Sequence, residues 1–134
     1  MDSDSLDALA KRLYAAHPSA VPLGYAEAAI EGVWKPEPKK CHENASTWAA
    51  NNQGWSAVRG WSVLDLTNAF LILKPVVHFV AHSAVRDPYG KLWDITPADI
   101  LQPFPFFPHP GTDEDFQELV EVHKLATVDY FPAG

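Results

Sequence analysis

The most constraining stretch of the chain is Val76 to Pro97, VVHFVAHSAVRDPYGKLWDITP. Two β-prone runs flank Asp87-Pro88-Tyr89-Gly90, where proline second and glycine fourth fit a type I turn closed by a glycine bulge. That three-residue loop predicts a register: Asp87 opposite Lys91, Ala84 opposite Asp94 and His82 opposite Thr96. Side chains alternate along a strand, so His78, Val80, His82, Ala84 and Arg86 share one face. Asp94 then lies on the face of His82 and diagonal to it, within reach of its imidazole. A loop one residue longer would turn Asp94 to the opposite face.

Upstream, Ser3 or Ser5 can cap a first helix carrying Leu6, Leu9, Ala10 and Leu13, with Pro18 and Pro22 ending it. Tyr25 to Val33 reads equally as a short helix or a strand. Trp34 to Lys40 runs extended, because each proline biases its predecessor away from helix. Cys41 opens CHENASTWAA, a helix with Ala45, Trp48 and Ala49 on one face, stopped at Asn51-Asn-Gln-Gly54. Gly54 to Val63 reads as a strand in which Gly60 marks a bulge or close backbone approach.

Leu64 to Leu73 has no clear preference. Pro97 to Pro110 reads as an aromatic, proline-rich loop. Thr112 caps a last helix with Asp113, Glu114 and Asp115 in its first turn and Phe116, Leu119, Val120 and His123 on its buried face. The expected fold is a single α+β domain over residues 1–134, an antiparallel sheet packed against a cysteine-bearing helix.

With 134 residues, 47% hydrophobic and 12% aromatic, the chain has enough apolar material for a core. Its net charge of −7 argues against phosphate-directed nucleic-acid binding and against docking on anionic lipid. The longest apolar run, at 69–73, falls far short of the roughly 20 residues a membrane helix needs. The acidic amphipathic start is unlike a secretory signal. A single cysteine cannot form an internal disulfide, so the expected location is a reducing cytoplasm.

Cys41, His82 and Asp94 supply a thiol, an imidazole and a carboxylate. A thiol attacks as thiolate, and its pKa falls at a helix N-terminus or beside an imidazolium. Amides at that helix start, Cys41's included, could hold an oxyanion. Each residue alone has an ordinary reading: a small buried thiol, a satisfied histidine, a carboxylate capping the turn at Thr96-Pro97. Together they match nucleophile, base and orienter.

Cys-His-x-Asn at a helix start, followed by Ala-His-Ser/Ala-Val and Asp-Pro-x-Gly-x-Leu-x-Asp-x-Thr-Pro, resembles a set of small uncharacterised bacterial proteins. The order is also similar to the transglutaminase-like and arylamine N-acetyltransferase-like cysteine enzymes of the papain-like fold. The resemblance covers about Lys40 to Pro97. It implies a papain-like core with Cys41 as nucleophile, His82 as base and Asp94 as orienter, acting in acyl transfer or in amide or peptide hydrolysis without a cofactor. The chain is short for such an enzyme, and no upstream glutamine stands as oxyanion donor. Trp34, His42, Asn44 and His78 are the candidates for oxyanion or pocket roles.

Two other readings use the same residues. Cys41, His42, His78, His82 and Asp94 are all possible zinc ligands, but in a strand His78 and His82 lie roughly 13 Å apart. Alternatively the domain is a non-catalytic binding module, with Trp55, Trp61, Phe104, Phe106 and Phe107 lining a groove. Trp48 and Trp61 read better as core. His17, His109 and His123 read as incidental.

Overall fold

The computed structural model describes residues 1–68, 74–98 and 104–132. The elements in order are α1 (Ser3–Ala16), β1 (Val21–Pro22), β2 (Gly24–Tyr25), α2 (Cys41–Asn51), β3 (Ser56–Asp65), β4 (Val77–Arg86), β5 (Leu92–Asp94), β6 (Pro105–Pro108), α3 (Asp113–Gln117) and β7 (Thr127–Tyr130). The protein is therefore α+β. Among the described residues no helix is long and apolar enough to cross a membrane. The expectations for 69–73 and for 99–103 lie outside the described residues.

The chain forms two compact units, and it passes back and forth between them. The first comprises Met1–Val21, Gly60–Ala81 and Phe104–Gly134. Here β1, β6, β3 and β4 are neighbours in that order, and β7 also pairs with β4. Leu9, Ala10 and Leu13 of α1 pack with Trp61, Val63, Val77, Phe79, Phe107, Phe116, Leu119 and Val128. The periodicity of α1 thus predicts its buried face, except that Leu6 is 38% exposed. Its cap is Asp2 rather than a serine: the carboxylate accepts the Ser5 N–H at 2.7 Å.

Gly60 sits where the backbones of β3 and β6 meet the Phe106 ring, and a Cβ there would collide with the Phe107 carbonyl. The expected close approach is real, and it explains why β3 tolerates a glycine. The expected loop over Pro97 to Pro110 needs correction. Pro105–Pro108 is a strand antiparallel to β3, with Trp61 opposite Phe107. Phe106 and Phe107 are both fully buried, and their burial outweighs the donors lost at two prolines.

Thr112 caps α3 as expected, accepting the Asp115 N–H at 3.1 Å. The helix then widens over Glu118–Val122. Phe116 and Leu119 are buried, while Val120 and His123 are only partly so. The added strand β7 was not foreseen.

The second unit comprises Pro22–Arg59 and His82–Pro103. Its hairpin of β4 and β5 is antiparallel, while β2 runs parallel to β5, with Tyr25 opposite Asp94. The sheet is therefore mixed, because β2 arrives from a loop and not through a hairpin. Tyr25 to Val33 is mostly irregular, closing in a tight turn where Ile30 bridges Trp34 and Gly32 has φ +73°. The small core of this unit holds Ala28, Ala45, Val85 and Ile95, with Trp34, Trp48, Trp55 and Trp93 against it.

Candidate active site

Cys41 is the first residue of α2. Lys39 takes a left-handed conformation (φ +64°), and Lys40 follows as a cap residue whose side chain makes no capping bond. Lys40 instead pairs with Glu37 at 3.0 Å. Asn44, one turn into the helix and 3% exposed, holds this entry segment down. Its carbonyl accepts the Glu37 N–H at 3.1 Å, and its amide donates to Glu37 O at 2.8 Å and Thr96 Oγ1 at 3.0 Å.

The hairpin brings the base. Gly90 has φ +90°, which frees the chain to close the turn: Gly90 N donates to Asp87 O at 3.0 Å, and Asp87 N to Lys91 O at 2.8 Å. The Asp87 carboxylate accepts the Tyr89 and Lys91 N–H groups and the Trp93 indole. Val85 then stands opposite Trp93, and Arg86 opposite Leu92. This is the register predicted for a three-residue loop with a glycine bulge.

As that register requires, His82 and Asp94 meet. His82 Nε2 lies 3.2 Å from Asp94 Oδ2, with the two side chains 18% and 29% exposed. Asp94 Oδ1 meanwhile accepts the Thr96 N–H at 3.0 Å. The ordinary reading of Asp94 as a turn cap and the orienter reading are both satisfied, one by each oxygen.

The half-buried Cys41 thiol hydrogen-bonds to the side chains of His42 and His82. Burial by itself pushes the thiol up. Those hydrogen bonds and the imidazole charge outweigh it, bringing the pKa from 9.0 down to about 6. For His82, burial works against the charged form, but Asp94 and then Cys41 raise it from 6.5 to about 10. Between those values the pair is a thiolate beside an imidazolium. Cys41 stands at the helix start the sequence predicts, and two imidazoles lower its pKa there.

A second network backs the thiol. His42 Nδ1 lies 2.6 Å from Ser83 Oγ. Arg59 donates to Ser83 Oγ at 2.9 Å, to His42 O at 3.0 Å and to Ser46 Oγ.

No family model matches the chain, and neither a curated protein nor a solved structure matches it.

Of the residues expected at the site, Cys41, His42, His82 and Asp94 come together. Asn44 is engaged elsewhere: both of its N–H bonds go to Glu37 and Thr96, so it braces the site and has no donor left for an oxyanion. Trp34 is bonded to Ile30 through its backbone, and its ring lies 6.5 Å from that of Trp48, which makes it a wall of the small core. His78 belongs to the first unit, paired with Asp129 across the β4–β7 ladder. Among the described residues no cluster of three or more histidine, cysteine, aspartate or glutamate side chains is arranged to hold a metal ion. The aromatic groove also loses members, since Trp61, Phe106 and Phe107 are fully buried and only Phe104 is exposed.

Sequence reasoning missed Ser83 and Arg59. Ser83 follows His82 directly, and Arg59 is a lone cation on the β3 strand. Only knowledge that β3 and β4 are neighbours could have joined them. It also passed over His109, which accepts the Trp61 indole N–H at 2.9 Å and meets Asp115 at 2.6 Å. That buried network belongs to the first unit's core.

Proposed function

We propose that the protein is a cysteine-dependent acyl transferase or amide or peptide hydrolase of transglutaminase-like or papain-like type. The observation that carries this reading is a half-buried thiol at a helix start in contact with His82, whose Nε2 faces Asp94 at 3.2 Å. The Cys41 thiolate attacks a carbonyl carbon, forming a C–S bond. The backbone N–H of Cys41, at an uncapped helix start, is available to the developing oxyanion. The His82 imidazolium gives its proton to the departing amine or alcohol, leaving a thioester. His82, now neutral, removes a proton from water or an acceptor amine, which displaces the thiolate. Asp94 holds the ring and its charge throughout. Substrates are then small acyl donors or peptides, with no cofactor, in a reducing compartment such as the cytoplasm. No nucleic-acid partner is proposed.

The test uses iodoacetamide and p-nitrophenyl acetate on the whole chain. Rapid alkylation of Cys41 that collapses in His82→Ala, with an acetyl thioester on Cys41 seen by mass spectrometry, supports the reading. Slow alkylation indifferent to that substitution would sink it in favour of a binding module.

A further inference from the structure

The thiol touches two imidazoles, and their surroundings differ in kind. His82 faces a carboxylate. His42 faces Ser83, and behind Ser83 stands Arg59. A guanidinium only donates, so Ser83 Oγ accepts from Arg59. Ser83 is 1% exposed, and its one hydroxyl hydrogen needs an acceptor, because an unsatisfied buried donor is costly. His42 Nδ1 at 2.6 Å is that acceptor. If Nδ1 carried a proton instead, the serine hydrogen would be directed away from its short contact.

On the reading proposed above, we infer that Arg59 and Ser83 hold His42 as the neutral imidazole with its proton on Nε2, a fixed hydrogen-bond donor to the Cys41 sulfur. The two imidazoles then divide the work. His82 carries charge and moves protons; His42 steadies the thiolate through a hydrogen bond. Ser83 and Arg59 are positioning residues, acting through His42. The Arg59 bonds to His42 O and Ser46 Oγ tie the same guanidinium to the first turns of α2, so ring and helix are aligned together.

Two measurements on the full chain test this. In long-range proton–nitrogen correlation spectra at pH 7.5, His42 should show the pattern of the neutral Nε2–H form. Ser83→Thr should keep it, and Ser83→Ala should lose it to a mixture. Iodoacetamide labelling at pH 5.5, where thiolate is scarce, should slow about tenfold in His42→Ala, the expected worth of one hydrogen bond to a charged group; His42→Gln should recover most of that loss. If Ser83→Ala fails to fold, Arg59→Gln reads the same tautomer change. An imidazolium or Nδ1–H pattern for His42, or wild-type labelling in His42→Ala while His82→Ala is slow, would overturn the inference alone. If His82→Ala also labelled at the wild-type rate, the catalytic reading itself would fall, and the spectra would still judge the tautomer.

Discussion

Asp94 offers its two carboxylate oxygens to two different partners: Oδ2 stands 3.2 Å from His82 Nε2, and Oδ1 accepts the Thr96 N–H at 3.0 Å. The first contact raises His82; the second ties off the end of β5. Charge and geometry can therefore be separated by substitution. Asp94→Asn keeps an oxygen for Thr96 but removes the charge. Its fold should survive, while the pH at which His82 loses its charge moves down from about 10. Asp94→Ala should lose the turn bond as well, at about 1 kcal/mol of stability. The pH dependence of the His82 ring-proton shifts, alongside urea unfolding, checks both.

The pH window follows from the two shifts. Cys41 is depressed to about 6, so its ionised form is present above that value and lost as pH falls through it. His82 is raised to about 10, so its charged form is lost as pH rises through that value. The pair, and what it adds to folding, should persist between these limits and fade outside them. Iodoacetamide rates should rise with a midpoint near 6. A midpoint near the ordinary thiol value of 9.0 would show that no imidazole assists the sulfur.

Gly90 has φ +90°, yet a Cβ there would meet nothing within 4 Å. Gly90→Ala therefore tests backbone strain without a clash. It should cost roughly 1–2 kcal/mol in urea denaturation and leave the midpoint of the pH–rate profile unchanged, since the Val85–Trp93 register outlasts the strain.

Asn44→Ala should cost roughly 1–3 kcal/mol, because Glu37 and Thr96 lose partners next to a buried position. An unfolding midpoint unchanged from wild type would show that water replaces the lost amide without penalty.

The hairpin was legible because its turn is written in residues with narrow conformational choices. Pro88 sets one dihedral, Gly90 supplies another, and the two-residue strand period carries the consequence to Asp94. Cys41 at a helix start was legible for a similar reason, since a proline-rich extended run gives way there to good helix formers. Where long-range burial decided, the sequence was silent. Pro105–Pro108 became a strand because two phenylalanines could be fully buried against Trp61. His109 looked incidental until the fold supplied an indole on one side and Asp115 on the other. Ser83 and Arg59 carry no pattern of their own; their meaning depends on which strands are neighbours.

Gly54, just after the cysteine helix, packs against the ring of Pro88 at the hairpin's tip, while Asn44 and His42 near its start bond to Thr96 and Ser83. One hairpin thus grips the helix at both ends. Peeling the hairpin away would strip the sulfur of its acid–base partner in the same event. The chemical temper of a single thiol then becomes a built-in gauge of whether these two segments are still clasped.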